Sequence, residues 1–273
     1  MSLYLLFDIG NTRLKWVAVE STQNPSDRNK KLWSYSGSIS TKSLQSPAHC
    51  AELADYIAKT MPKPAAIGFC CVAGAAAINQ LKTLFPQWED ISWKQFSGNS
   101  EYKGMRTLYE DPAKLGADRW AAVIGARALS NTNTLIINAG TATTIDLLGG
   151  NGVHYGGWIL PGLTLMLDSL QNNTAQLPLA TKVNDPMPSL AFGLNTNNAI
   201  AEGCEAAQVG AILRALQLAK EMHHPIGNIC LDGGNSKVLA AELKKLTAPL
   251  LPPVQTTENL VLRGIWAWLL QNP

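Results

Sequence analysis

The sequence predicts an α/β protein in which two similar halves each contain a mixed sheet flanked by helices. The chain has 273 residues, of which 46% are hydrophobic, enough to form a large core. Each half contains two strand-like apolar runs joined by a short turn with glycine, and helical and strand-like segments alternate around this hairpin. We therefore predict a duplicated fold with one domain over residues 1–114 and a second over residues 115–273.

The first half is predicted to begin with a β-hairpin. The apolar run Leu3–Ile9 is followed by Gly10 and Asn11, and a second strand-like run covers residues 14–19. Glycine and asparagine tolerate the positive φ angles that tight turns require. The elements predicted after this hairpin are a strand over 33–40, a helix over 47–61, a strand over 65–72 and a helix over 78–85.

The second half begins with an alanine-rich segment of helical spacing over residues 115–130. Two apolar runs, 134–137 and 143–148, flank another glycine break, and a third strand is predicted over 153–159. The elements predicted after these strands are helices over 162–171 and 199–222, a strand over 229–231 and a helix over 261–270. The last helix is apolar on most sides, which favours core packing or, alternatively, a subunit interface.

The composition argues against several classes of protein. The net charge is +2 with scattered lysines and arginines, whereas a nucleic-acid-binding protein usually has a concentrated basic face. There is neither an apolar run of roughly 18 residues, the length of a membrane span, nor a signal-peptide pattern. The five cysteines are odd in number and lack C-x-x-C spacing, which is typical of a reducing compartment. We expect a soluble cytoplasmic protein with no nucleic-acid or membrane partner.

The first hairpin turn carries polar residues at the end of a buried strand. Asp8, Gly10, Asn11 and Thr12 are followed three residues later by Lys15. A carboxylate here is costly unless it meets a cation or hydrogen-bond donors, and the N–H groups of the turn can form an anion site. A phosphate with its Mg²⁺ would satisfy these groups together. An ordinary hairpin in which the carboxylate forms an Asx-turn is the alternative.

Two further turns, both in the second half, have related compositions. Asn138, Gly140 and Thr141 lie in a turn that repeats the order apolar strand, polar residue, glycine, threonine and strand. The turn 232–236, Asp-Gly-Gly-Asn-Ser, follows a predicted strand, and its small residues would let a flat base lie close to the backbone. Each turn alone is also compatible with an ordinary hairpin or turn.

These three turns in this order resemble those of the superfamily that includes actin, hexokinase and the heat-shock-chaperone ATPases. The resemblance implies a duplicated actin/ribonuclease H-like (ASKHA) fold with a cleft between two domains. In that fold two hairpins, one per domain, face each other and hold the ATP phosphates, and a third, glycine-rich turn holds the adenosine.

A longer run narrows the resemblance to one family. Residues 109–120, Tyr-Glu-Asp-Pro-Ala-Lys-Leu-Gly-Ala-Asp-Arg-Trp, resemble the Tyr-x-x-Pro-x-x-Leu-Gly-x-Asp-Arg-Trp signature of type III pantothenate kinases, the Bvg accessory factor family. Segments 156–162, 174–178 and 193–196 agree with this family, and the resemblance covers essentially the whole chain.

The resemblance implies ATP-dependent phosphorylation of the primary hydroxyl of pantothenate, the first step of coenzyme A biosynthesis. Asp118 matches the general base, which accepts the proton of a poorly nucleophilic alcohol. Arg119 could bind the substrate carboxylate with its planar fork. A purely structural ion pair of these two residues at a helix start is the alternative. The residues implied in substrate binding are Tyr109, Gly116, Ala117, Asp118, Arg119 and Thr196.

The resemblance also implies an ATP site and a homodimer with the pantothenate pocket near its interface. Asp8 would hold Mg²⁺ through water, and Lys15 would offset charge on the transferring phosphoryl group. A simple surface position is the alternative for Lys15. The residues implied in ATP binding are Asp8, Ile9, Gly10, Asn11, Thr12, Arg13, Leu14, Lys15, Thr141, Gly233 and Gly234.

One position departs from the family pattern. Many members carry aspartate where this chain has Asn138, and that carboxylate binds a monovalent cation, typically K⁺ or NH₄⁺. The amide of Asn138 offers a carbonyl oxygen without the charge. We therefore expect the cation site to be weaker, altered or lost.

Two other functions are compatible with parts of the sequence. A sugar kinase of the same superfamily would share the hairpins but should lack the 109–120 run. A non-catalytic accessory or regulatory protein is the second alternative, and Asn138 gives it some support. Asp8, Asp118 and Arg119 are all present, which favours an active kinase.

Overall fold

The computed structural model of the chain describes residues 2–28, 32–174, 177–178, 192–246 and 251–272. Ala175 and Gln176, within one of the segments that carry the resemblance, lie outside these residues. The chain divides into two compact units. The first contains Met1–Asn131, Gly152–His154 and Asn259–Pro273, and the second contains Thr132–Asn151 and Tyr155–Glu258.

Five strands form the sheet of the first unit: β1 (Leu3–Ile9), β2 (Arg13–Glu20), β3 (Tyr35–Ser40), β4 (Ala66–Cys71) and β5 (Ser92–Gln95). Their order is β3-β2-β1-β4-β5, and β1 is antiparallel to β2 but parallel to β4. Side chains of β1 and β4 are buried almost without interruption, as expected for strands covered on both faces. The carboxyl ends of β1 and β4 therefore meet at one edge of a buried sheet.

Four helices belong to the first unit: α1 (Pro47–Thr60), α2 (Ala75–Thr83), α3 (Ala117–Leu129) and, after the whole second unit, α7 (Leu260–Leu269). Helices α3 and α7 pack directly on each other at two glycines. A Cβ atom on Gly264 would overlap the carbonyl oxygen of Ala121, and one on Gly125 would overlap that of Leu260. The two backbones therefore touch where these helices cross.

A two-residue strand, β6 (Arg106–Thr107), precedes α3. It pairs in parallel with Val153 and His154, the first residues of β9 (Val153–Pro161), and these four residues all belong to the first unit. Ordinary strands are longer, so β6 depends on contacts of its side chains and neighbours to hold its position.

The second unit contains a mixed sheet with β7 (Thr134–Ala139), β8 (Ala142–Leu148), β10 (Asn228–Asp232), β11 (Val254–Thr256) and the rest of β9. Their order is β11-β10-β7-β8-β9, with β7 antiparallel to β8 and parallel to β10. Its helices are α4 (Leu163–Asn172), α5 (Thr196–Glu221) and α6 (Ser236–Lys245). Apolar residues of β7 and β10 pack with α5 and α6 to form its core.

The predicted α/β class with two mixed sheets flanked by helices is confirmed. Helix α6 and the strands β5, β6 and β11 were missed, as were short 3₁₀ helices over Thr41–Gln45, Pro86–Trp88 and Pro112–Lys114. The division into units differs from the predicted boundary after residue 114, because α3 and α7 both pack on the sheet of the first unit. Among the described residues, no helix combines the length and apolar character needed to cross a membrane.

Candidate active site

The first hairpin turn is fixed by backbone bonds and by a neighbouring threonine. The Gly10 N–H donates to the carbonyl oxygen of Arg13 at 3.0 Å and closes the turn. The Thr41 hydroxyl donates to the Gly10 carbonyl oxygen at 2.6 Å, and the Thr41 N–H donates to that of Thr12 at 2.9 Å. Asn11, Thr12 and Arg13 are exposed at this braced turn, so their polar groups are accessible to a ligand.

The predicted ATP-binding residues that flank this turn divide by exposure. Ile9 and Leu14 are fully buried, so only their backbone could contact a phosphate. Lys15 is half-buried and lies opposite Asp8 in the β1–β2 register. Antiparallel neighbours of opposite charge attract each other, and both side chains are at the turn end of the hairpin.

Asp8 contacts a cysteine at the end of the adjacent parallel strand. The Cys70 thiol donates a hydrogen bond to Oδ1 of Asp8 at 3.5 Å, since these residues are partners in the β1–β4 register. Burial raises the pKa of the Cys70 thiol well above its usual value, and the carboxylates of Asp8 and Asp118 raise it further. Cys70 therefore keeps its proton at neutral pH. No sequence pattern marks this contact, because Cys70 lies in an apolar run.

The predicted base, Asp118, also lies near this thiol. Asp118 lies in the first turn of α3, where a negative charge is stabilised by the helix dipole, and its Oδ1 accepts from the Arg119 N–H at 2.8 Å. Both carboxylates are close enough to Cys70 to raise the pKa of its thiol. The structure therefore brings Asp8 and Asp118 into one neighbourhood of the first unit.

Gly116 precedes α3 and leaves room for the carboxylate of Asp118. A Cβ atom at this position would lie 2.8 Å from Oδ1 of Asp118, closer than real Cβ contacts. Ala117 then begins the helix and is half-buried. Gly116 and Ala117 thus shape the start of α3 through their small size.

Tyr109 and Arg119 are in direct contact. Nη1 of Arg119 donates to the Tyr109 hydroxyl at 2.9 Å, and the guanidinium carbon lies 5.5 Å from the centre of the tyrosine ring. Arg119 is buried, with 5% of its surface exposed, and Tyr109 is half-buried. A guanidinium held against an aromatic ring presents its N–H groups in a fixed orientation, as carboxylate binding requires.

In the second unit, the second hairpin turn is covered by the start of α4. The Gly140 N–H donates to the carbonyl oxygen of Ala142 at 3.1 Å, and the Gly162 N–H donates to that of Thr141 at 2.9 Å. A Cβ atom on Gly162 would overlap the carbonyl oxygen of Gly140, so glycine is needed for this close approach. Thr141 itself is exposed.

The third turn lies beside the second hairpin because β10 and β7 are parallel neighbours. Gly233 has a φ of +101°, and a Cβ atom on it would lie 2.5 Å from the carbonyl carbon of Ala139. The buried Asp232 is the register partner of Asn138, and its Oδ1 accepts from the Gly233 N–H at 2.7 Å. Gly234 is exposed with open space around it.

Thr196 also belongs to the second unit, where it opens α5. The Asn195 side chain caps this helix by accepting from the Asn198 N–H at 2.9 Å. Thr196 is exposed and borders a groove whose lining includes Met166 of α4 and Ile200 of α5. The residues that line this groove belong to the second unit.

The groups around Asp8 can be compared with those that usually hold Mg²⁺ in kinases. In the described ranges, no three His, Cys, Asp or Glu side chains cluster as a ready-made metal site. Magnesium in kinase sites is usually held by one or two carboxylates together with phosphate oxygens and water. One carboxylate beside a turn of exposed polar groups fits that arrangement.

Comparison with known proteins identifies the family. The family model described as type III pantothenate kinase matches residues 4–217. The type III pantothenate kinase of Colwellia psychrerythraea is 36% identical over 268 residues, which cover 96% of this chain and 98% of the relative.

Solved structures support the fold. A Baf family protein from Campylobacter jejuni gives a TM-score of 0.58 at 18% identity, with 98% of each chain covered. The inorganic polyphosphate/ATP-glucomannokinase of Arthrobacter sp. strain KM gives a TM-score of 0.50 at 15% identity, with 99% of this chain and 100% of that chain covered. The predicted actin/ribonuclease H-like fold is confirmed, and with the family match and the near-complete coverage of the curated relative, this chain belongs to the type III pantothenate kinase family.

Proposed function

We propose that this protein transfers the γ-phosphoryl group of ATP to the primary hydroxyl of pantothenate, forming 4'-phosphopantothenate in the first step of coenzyme A biosynthesis. The observation that carries the proposal is the cluster at the start of α3, where Asp118 is followed by Arg119 in contact with Tyr109. This cluster lies in the run that distinguishes the family from other kinases of the fold.

In this proposal the start of α3 binds and activates the acceptor. Arg119 pairs with the pantothenate carboxylate, and Tyr109 orients the guanidinium. Asp118 accepts the proton of the hydroxyl as the oxygen attacks phosphorus. Gly116 and Ala117 leave room for the substrate, and Thr196 supplies a hydroxyl from the start of α5.

We further propose how the chain binds ATP. The turn of Gly10, Asn11 and Thr12 donates to the phosphates, with Lys15 offsetting their charge, and Asp8 holds Mg²⁺ through water. When bound, Mg²⁺ neutralises charge on the phosphate oxygens during transfer. In the second unit, Thr141 and the turn at Gly233 and Gly234 make the remaining nucleotide contacts.

An assay with radiolabelled ATP tests the proposed function directly. The protein is incubated with Mg²⁺ and K⁺ or NH₄⁺, and with pantothenate or a panel of hexoses as acceptor. Label transfer to pantothenate alone supports the proposal. Transfer to a hexose instead would identify a sugar kinase, and no transfer to any acceptor would favour the non-catalytic accessory role.

Replacing Arg119 with lysine should raise the KM for pantothenate by about 10- to 100-fold, because a lysine cannot make the bidentate contact. The KM for ATP should change little. Steady-state kinetics of this variant are compared with Arg214→Lys, a change at an exposed arginine of α5. An unchanged pantothenate KM for Arg119→Lys would contradict the proposed carboxylate contact.

We propose that Asn138 weakens the dependence on a monovalent cation. Its register partner is the buried Asp232, so an aspartate at 138 would place two carboxylates on neighbouring strands. The Asn138→Asp variant should therefore reach half-maximal activity at a K⁺ concentration about fivefold lower than the wild type, equivalent to about 1 kcal/mol of cation binding.

The measurement is activity against K⁺ concentration at constant ionic strength. Asn151→Asp, at an exposed asparagine of the same unit, is the control and should respond like the wild type. An absolute requirement of the wild-type protein for K⁺ would overturn the proposal.

We also propose that the protein is a cytoplasmic homodimer. The family resemblance supports the dimer, and the apolar side chains of Ile159 and Leu165 in the second unit, 64% and 45% exposed, are candidates for its interface. Sedimentation should give twice the mass of the 29.4 kDa chain. A monomer at micromolar concentration would contradict the dimer.

A further inference from the structure

A buried histidine lies behind the Tyr109–Arg119 pair. We propose that His154 is a positioning residue that holds Tyr109, and through it Arg119, in the geometry that binds the acceptor, acting through the hydroxyl of Thr107. The inference rests on the proposed function of the Tyr109–Arg119 pair. His154 is fully buried in the first unit, so it acts through its neighbours rather than on the substrate.

Two hydrogen bonds connect the histidine with the backbone of Tyr109. Nδ1 of His154 lies 2.8 Å from the Thr107 hydroxyl oxygen, and that oxygen accepts from the Tyr109 N–H at 3.1 Å. The hydroxyl oxygen accepts from Tyr109 with one lone pair, which leaves its proton and its second lone pair for the bond with Nδ1. Thr107 thus connects the imidazole with Tyr109, the first residue of the 109–120 run.

The backbone and the rings reinforce this connection. The Leu108 N–H donates to the carbonyl oxygen of His154 at 2.9 Å, which extends the short β6–β9 pairing to the residue before Tyr109. The imidazole is stacked with the Tyr109 ring at a centroid distance of 6.4 Å and an interplanar angle of 13°. It also lies 6.0 Å from the ring of Trp120, the residue that follows Arg119. His154 therefore lies beside both Tyr109 and Trp120, the first and last residues of the 109–120 run.

Trp120, which lies against the His154 ring, is itself held in place. It is buried, and its Nε1 donates to the carbonyl oxygen of Ser100 at 2.8 Å. A buried polar group that loses its partner is costly, so the bonds of His154 and Thr107 favour one position of Tyr109 over others. The Tyr109 hydroxyl, which accepts from Arg119, is held in place by this preference.

The first test is a matched pair of changes at Thr107. Thr107→Val removes the hydroxyl at nearly constant shape, and Thr107→Ser keeps it. We expect Thr107→Val to raise the KM for pantothenate about tenfold, the effect of losing a typical hydrogen bond. The kcat and the KM for ATP should stay within about twofold, because the residue does not touch the reacting atoms. Thr107→Ser should retain the wild-type pantothenate KM.

The second test distinguishes the contribution of the His154 ring from that of its hydrogen bond through Nδ1. His154→Asn keeps a hydrogen-bonding amide near the position of Nδ1, and His154→Phe keeps a flat ring that makes no hydrogen bond. Asparagine should retain a pantothenate KM within about threefold of the wild type, whereas phenylalanine should raise it as Thr107→Val does. Circular dichroism and thermal melting check that each variant is folded.

Two results would overturn the inference while leaving the proposed function standing. One is a wild-type pantothenate KM in both Thr107→Val and His154→Phe. The other is an equal loss in kcat and in both KM values, which indicates general damage. A wild-type protein that does not phosphorylate pantothenate would overturn the proposed function itself, and the positioning role of His154 with it.

Discussion

Replacing Asp118 with asparagine should lower kcat by about 10²- to 10⁴-fold, the usual contribution of a general base. The amide is nearly isosteric with the carboxylate, and its oxygen can still accept from the Arg119 N–H. The fold and the pantothenate KM should therefore change little. The measurement is the rate of pantothenate phosphorylation at saturating ATP, with circular dichroism as the check on folding.

Asp111→Asn is the matched control for this experiment. Asp111 lies in the same run, is exposed, and caps a 3₁₀ helix by accepting from the Ala113 N–H at 3.0 Å. An asparagine can make the same cap, so this variant should keep near-normal activity. If Asp118→Asn were also near normal with an intact fold, the proposed base would be wrong and a structural role at the start of α3 would remain.

The largest expected effect on stability is at the crossing of α3 and α7. Gly264→Ala would place a methyl group on the carbonyl oxygen of Ala121, and the backbone contact of these helices leaves no flexible side chain that could move aside. We expect the free energy of unfolding to fall by about 3 kcal/mol, at the upper end of overpacking effects. Urea unfolding followed by circular dichroism measures the change.

Gly210→Ala is the control in the same unfolding assay and should raise, rather than lower, the free energy of unfolding. Gly210 lies inside α5 and is exposed, and a Cβ atom there would project into open space. Alanine there should stabilise the helix by about 0.5–1 kcal/mol, because glycine loses more conformational freedom on folding. Equal effects of the two substitutions would mean that the α3–α7 contact is looser than the structure indicates.

Local patterns were sufficient to predict most of the secondary structure. The hairpins around Gly10 and Gly140 were predicted because a buried strand, a turn with glycine and a second strand leave little choice of conformation. Helix α6 was missed because its mixed polar and apolar residues directly follow a glycine-rich turn. The short strands β6 and β11 are held by neighbours distant in sequence, so no local pattern marks them.

The arrangement of the candidate site depended on contacts that are remote in sequence. The hydrogen bond of Cys70 to Asp8 follows from the parallel register of β1 and β4, which an apolar run cannot reveal. The contact of Tyr109 with Arg119 could be anticipated only through the family resemblance. No sequence signal marked His154, because its significance comes from pairing with the two-residue strand β6.

The contact between α3 and α7 has a consequence for protein synthesis. Helix α7 follows the whole second unit along the chain, so the ribosome makes it only after α3 and the second unit. Until α7 emerges, the face of α3 around Gly125 has no partner, although most of the first unit has already been translated. Domains usually fold in order from the N-terminus during translation. Here α3, the helix that carries Asp118 and Arg119, can complete its packing only after α7 has been made. The nascent chain therefore passes through a stage in which the second unit can fold completely and the first unit cannot.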